Sequence, residues 1–211
     1  MPETQASLSA SEAHQTQPYL SSGPVSSLSP HRLITREHSP LSYLAKVGGT
    51  LKGGGDHIIT PSWVLYDVSC VETITLDPCW NPKARLITCQ RYQLPDKNGL
   101  RLPWSRDRGH TYVNPPYSQL ALWSAKTLKE WDCIRAFGKR AHLTLLVPSY
   151  TDTAWWHSLA PHANCVCFVE RRVFEGVTFA SALIYFGPSP DRFRSVFGKR
   201  GWVVESKVAY A

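Results

Sequence analysis

Hydrophobic residues form short, regularly punctuated runs only from Ile58 onward; before it they are scattered among Ser, Pro, Gln, Thr and His. The first periodic stretch is Trp63, Val64, Leu65 and Val68, spaced for one face of a helix. Thr60 stands where an N-cap is expected, with Pro61 at the first turn, where a missing amide hydrogen costs nothing. The brief apolar run Ile74-Thr75-Leu76 then stops at Asp77-Pro78 and reads as a strand that delivers a carboxylate at its C-terminal end. Thr111-Tyr112-Val113 predicts a second strand, halted by Asn114-Pro115-Pro116-Tyr117. A helix is expected from Ser118, with Leu120, Trp123, Leu128 and Trp131 on its buried face. A strand over 142–147, a second capped helix near Thr151-Asp152-Thr153, and strands over 165–169 and 180–186 complete the pattern. Strands alternating with helices predict an α/β sheet whose active groups sit at the strands' carboxyl ends.

Composition adds the boundaries. A chain of 211 residues, 43% hydrophobic and 11% aromatic, is too apolar to be wholly disordered and long enough for one domain plus a tail. Residues 1–45 lack any sustained apolar period, and Gly48-Gly49-Thr50-Leu51-Lys52-Gly53-Gly54-Gly55 is a flexible lead-in. The expected organisation is a disordered tail over 1–55 and a folded domain over 56–211. No run approaches the roughly 20 apolar residues of a membrane span, and no basic-then-apolar signal opens the chain, so a cytoplasmic location is expected. Six cysteines show no CxxC spacing, which indicates neither a zinc site nor a disulfide framework; buried, reduced thiols are the expectation.

Charge is unevenly distributed. Residues 1–56 hold four acidic and four basic groups, so the whole net charge of +7 lies in residues 57–211. Arg171, Arg172, Arg192, Arg194, Lys199 and Arg200 contribute six of those positive charges. Such a portion suits a polyanionic partner, although a merely basic surface has the same composition.

Asn114-Pro115-Pro116-Tyr117 carries the most chemistry. Two prolines with fixed φ and no amide hydrogen can continue neither a central strand nor a helix interior. They hold the Asn114 side-chain oxygen and the Pro115 carbonyl as a rigid pair of acceptors, while Tyr117 offers a flat ring for stacking on a base. Two acceptors can take both hydrogens of an exocyclic amine, draw its nitrogen toward tetrahedral geometry and stabilise the charge that develops there. Methyl transfer to the amine of adenine is the reaction this suits. A base in a duplex must first leave the stack, which costs a few kcal/mol.

In order along the chain, Thr60-Pro61-Ser62-Trp63, Leu76-Asp77-Pro78, Asn98-Gly99-Leu100 with Trp104, Asn114-Pro115-Pro116-Tyr117, Leu146-Val147-Pro148, Thr151-Asp152-Thr153, Trp155-Trp156-His157 and Arg172-Val173-Phe174 resemble the phage-type, Dam-like DNA N6-adenine methyltransferases. The resemblance spans about residues 57–188. It implies a Rossmann-like methyltransferase sheet with flanking helices, S-adenosylmethionine as cofactor, double-stranded DNA with a flipped base as substrate, and no metal. It places Asn114, Pro115, Pro116 and Tyr117 at the reacting base. Thr60 and Pro61 would meet the methionine carboxylate, where a helix start favours an anion, and Asp77 would meet the methionine ammonium. Asp96, or alternatively Asn98, would bind the ribose hydroxyls. Where many methyltransferases have glycines after the strand-end acid, this chain has Cys79-Trp80-Asn81-Pro82.

Each assignment has a plainer counterpart: Thr60 a helix cap, Asp77-Pro78 a turn, Asp96 a solvated loop residue, Trp155 and Trp156 core aromatics rather than a pocket wall. Arg171 and Arg172 suit phosphates or a solvated strand end equally. Two rival functions share the pattern. One is methylation of RNA adenine or of a protein glutamine amide at the same tetrapeptide. The other is a catalytically inactive nucleic-acid-binding module.

Overall fold

The computed structural model describes residues 56, 58–84, 90–104 and 107–206, so the tail expected over 1–55 lies outside the described residues. The elements are α1 (Ser62–Val71), β1 (Ile74–Asp77), β2 (Gln90–Arg91), β3 (Arg108–Val113), α2 (Leu120–Ala136), β4 (Arg140–Pro148), α3 (Ala154–Leu159), β5 (Cys165–Val169), β6 (Ser181–Phe186), α4 (Pro190–Phe197) and β7 (Gly201–Glu205). A 3-10 turn, Tyr117–Gln119, leads into α2.

Seven strands form one sheet in the order β2-β1-β3-β4-β6-β5-β7. β1 to β4 are mutually parallel; β6 runs against β4, and β5 against β6, so β5 points the same way as the first four. β7 closes the edge antiparallel to β5. From β1 the chain moves outward to β2 and returns to the other side of β1 with β3. That reversal opens a crevice between the carboxyl ends of β1 and β3, the place where open α/β sheets bind ligands.

β4 is buried from Ala141 to Pro148, as a central strand covered on both faces must be, and this explains why its run is apolar apart from the buried His142 and Thr144. Tyr185 stacks on Phe193 of α4 while its neighbour Phe186 meets Trp131 of α2, so α2 and α4 lie on opposite faces of the sheet. α3 packs with α2, and α1 with α4. On α2 the buried positions are Leu120, Trp123, Ser124, Thr127, Glu130, Trp131 and Ile134, with Leu128 half-buried.

Two expected caps are not made. The N-cap of α1 is Pro61, with no side-chain bond, and Thr60 lies outside the helix. Thr153 precedes α3, but its Oγ1 donates to the Tyr150 carbonyl in a turn. Cys165 and Cys167 are buried and free, facing Pro190 and Phe197 of α4. No local sequence pattern predicts β2, α4 or β7. Paired across β3 and β4, His110 and His142 are buried; burial holds the His110 imidazole down to about 3, and its nitrogens meet the Glu72 carbonyl and Thr144 Oγ1.

Candidate active site

The two strands flanking the crevice deliver Asp77 and Asn114. At the end of β1, Asp77 Oδ1 accepts the Cys79 amide at 3.0 Å, a local turn that Pro78 enforces. Burial pushes the Asp77 carboxyl up to about 6, against the lowering effect of that bond. Cys79 joins the two strand ends, since its thiol donates to the Asn114 main-chain carbonyl at 3.3 Å.

Asn114 is held by its nitrogen. Nδ2 donates to the Ile58 carbonyl at 3.0 Å and to Thr60 Oγ1 at 3.1 Å. A carbonyl can only accept, so the amide nitrogen must face Ile58 and the oxygen must face away. Oδ1 is buried and has no partner among the described residues. Beside it, Pro115 is buried, and among the described residues no hydrogen bond takes its carbonyl. Among the described residues, both oxygens are thus without a donor.

Tyr117 is only 6% exposed, its buried hydroxyl has no partner among the described residues, and burial raises its phenol above the ordinary range. Its ring meets the edge of Phe179 at 5.5 Å, and Phe179 also touches Tyr150 and Phe174. Phe179 and Tyr150 therefore build the aromatic wall next to the Asn-Pro-Pro-Tyr loop. Nothing in the periodicity singled them out, because both lie in loops.

A cavity of about 750 Å³ opens over the ends of β1 and β2. Pro78, Cys79, Trp80, Tyr92, Gln93, Asn98, Leu100, Pro116 and Trp123 are among its lining residues. Asn98 faces it and Asp96 does not; Asp96 is exposed. Asp77, Thr60 and Pro61 do not line it either, although Pro78 and Cys79 do. The volume and the mix of flat apolar walls with a few polar groups suit a nucleoside-sized cofactor. Trp80 stands where many methyltransferases carry a glycine, and the Arg91 guanidinium lies over its ring at 4.8 Å. Among the described residues no cluster of His, Cys, Asp or Glu could hold a metal ion, and no helix is long and apolar enough to cross a membrane.

Residues 48–185 match the family model of DNA N-6-adenine-methyltransferase (Dam), which is more than half of the chain. The chain belongs to this family. No curated protein shows a significant match to it. The seven-stranded sheet with helices on both faces fits the Rossmann-like methyltransferase fold expected of a Dam-family protein.

Within this Dam-family chain the basic residues divide. Arg171 and Arg172 are exposed just beyond β5, on the sheet edge that also carries Asn114. Arg192 and Lys199 are exposed as well. Arg194 instead pairs with Asp191 and Glu205, and Arg200 donates to the buried Asp67 at 2.6 Å while covering Trp63. Those last two arginines hold α1, α4 and β7 together and are correspondingly less available to a polyanion. Trp156 is buried between Trp155 and Phe168, so its role is packing.

Proposed function

We propose that this protein transfers a methyl group from S-adenosylmethionine to the exocyclic N6 amine of adenine in DNA. The observation that carries the reading is Asn114: its nitrogen is tied down, and its buried Oδ1 lacks a partner among the described residues. An unpaired acceptor in a dry site costs stability, typically about 1–3 kcal/mol, and is retained where a ligand supplies the missing donor. An exocyclic amine is such a donor. Oδ1 takes one of its hydrogens, the Pro115 carbonyl takes the other, and the nitrogen lone pair is left free.

The cofactor, when bound, supplies a methyl group on a sulfonium. The cavity beside Pro78, Trp80, Asn98 and Pro116 is where its nucleoside would lie, with Asn98 and Gln93 placed for ribose hydroxyls. Asp77 offers a carboxylate for its ammonium, and the start of α1 at Pro61 favours its carboxylate. Pro116 holds the loop shape. Tyr117, Tyr150, Phe174 and Phe179 enclose the flipped base, while Arg171 and Arg172 meet phosphates. The proton lost by the amine needs no assigned base, because it leaves after the methyl group has been transferred.

The test is methyl transfer from labelled S-adenosylmethionine into duplex DNA, with nucleoside chromatography of the digest. Label in N6-methyl-2′-deoxyadenosine from the DNA is the expected result. Label in RNA or in protein glutamine instead would select the other substrate class. Cofactor binding without any transfer, or no binding at all, would favour an inactive module.

A further inference from the structure

Thr60 stands immediately before α1, and its hydroxyl is turned inward. Oγ1 accepts from Asn114 Nδ2 at 3.1 Å and lies 3.0 Å from the Tyr112 hydroxyl. All three side chains are shielded: Thr60 and Tyr112 are buried and Asn114 is half-buried. Tyr112 lies on β3 and Asn114 directly follows the strand's last residue, and both side chains meet the one hydroxyl of Thr60. A segment that the chain places more than fifty residues upstream is thereby fastened to the end of β3 through one hydroxyl.

The hydrogen-bond capacity closes. The Asn114 amide has two hydrogens, of which one goes to Ile58 and one to Thr60. A hydroxyl has one donor and two acceptor sites, so Thr60 can serve Asn114 and Tyr112 together. Burial raises the Tyr112 phenol well above its ordinary range, so it stays a neutral hydroxyl at any working pH. With both amide hydrogens engaged, the plane of the amide is set, and the remaining oxygen is aimed by geometry rather than by chance.

We infer that Thr60 and Tyr112 are positioning residues that orient the Asn114 amide so that Oδ1 meets the substrate amine. The inference rests on the functional reading above and assigns Thr60 a task different from contact with the cofactor. A transition-state acceptor must be held closely, since a displacement of about 1 Å can cost on the order of 10²-fold in rate.

Three variants test it. Thr60→Val keeps the shape and removes the acceptor, Thr60→Ser keeps the hydroxyl, and Tyr112→Phe removes the outer support. Thr60→Val should lower the single-turnover methylation rate at saturating cofactor and DNA by roughly 10–100-fold. Cofactor dissociation constant and the KM for DNA should stay within about twofold, a split that loosened folding would not produce. Thr60→Ser should recover most of the rate, and Tyr112→Phe should fall between. A Thr60→Val protein with full rate at saturation would overturn the inference, as would one in which only cofactor affinity is lost.

A second readout does not depend on activity. In the nitrogen-15 spectrum of the wild-type protein, both Asn114 side-chain amide protons should be protected from exchange. One should lose protection in Thr60→Val and regain it in Thr60→Ser. Unprotected amide protons in the wild type would overturn the clamp whatever the enzyme does. The full pattern in a protein that methylates no nucleic acid would leave the clamp standing and remove the functional reading instead.

Discussion

Gly99 packs so tightly on Pro78 that a methyl group added to its Cα would lie 1.9 Å from the Pro78 carbonyl oxygen. The Asn98-Gly99-Leu100 element is thus pressed against the strand end that carries Asp77, and Trp104 fastens it by donating Nε1 to the Gly99 carbonyl at 2.7 Å. Asn98 and Leu100, on either side of the glycine, line the cavity.

Gly99→Ala should therefore force backbone against backbone, destabilising the fold by at least about 1–3 kcal/mol, the usual cost of overpacking. Cofactor affinity should fall as well, because Pro78, Asn98 and Leu100 move together. Denaturant midpoints and calorimetry check both effects. Unchanged values would mean that the Pro78 turn yields without cost and that the close approach has no role.

Asn114→Ala should abolish a preorganised acceptor without touching the cavity. Methyl transfer should drop on the order of 10²–10³-fold, the range found for loss of one transition-state hydrogen bond. Cofactor affinity should be nearly unaltered, while stability should fall by about 1–3 kcal/mol, because the Ile58 carbonyl and Thr60 Oγ1 lose the donor they share even though the unpaired Oδ1 goes as well. Wild-type turnover in this variant would withdraw Asn114 from the chemistry.

What the sequence revealed follows from what kind of signal each part emits. β4, β5 and β6 announce themselves as largely apolar runs because they are mostly buried, whereas of β3 only Thr111-Tyr112-Val113 does so and Arg108 to His110 carry no such signal. β2 is only Gln90-Arg91, a polar pair made a strand by its register against Leu76 and Asp77, and no local pattern encodes that. α4 buries Phe193 and Phe197 among charges, so the stretch read as a basic surface before it read as a helix. β7 is an edge strand with Trp202 exposed, which hides any alternation. At the site, Asn114 was recognisable because two prolines follow it. Its orientation was not, because Ile58 and Thr60 reach it from 56 and 54 residues away. Thr60, expected as a cap, serves a long-range contact that local rules cannot foresee.

Arg171 and Arg172 lie exposed at the carboxyl edge of the sheet, with no ion pair between them and any carboxylate among the described residues. Each phosphate contact contributes about 0.9 to the slope of log affinity against log salt. Changing both to Ala should flatten that slope by up to about 2 and weaken all duplex sequences alike. Tyr117→Ala should leave the slope unchanged, because a buried ring meets no phosphate. Salt titrations on one duplex measure both. An unchanged slope in the double variant would remove the two arginines from the DNA footprint.

Asp77 makes the last prediction a matter of sign. Its carboxyl is raised from 3.8 to about 6 by burial, so the folded protein holds this proton more tightly than the unfolded chain does. The stabilising contribution is therefore fully present below about pH 4 and is lost as pH rises from there through about 6. At pH 7 the site holds a desolvated, ionised carboxylate, and Asp77→Asn should stabilise the free protein by up to about 3 kcal/mol. Cofactor binding should have the opposite dependence, because a bound ammonium favours the ionised form. Affinity for S-adenosylmethionine should be flat above about pH 6 and weaken roughly tenfold per pH unit below it, with a proton released on binding near pH 6. In Asp77→Asn the affinity should be lower and nearly independent of pH across that window. Calorimetry in two buffers of different ionisation enthalpy gives both the affinity and the proton count. A wild-type affinity that is level from pH 5 to 7, or an Asp77→Asn protein that binds as tightly as wild type at pH 7, would remove Asp77 from contact with the ammonium and leave it as the turn-forming residue that Cys79 already makes it.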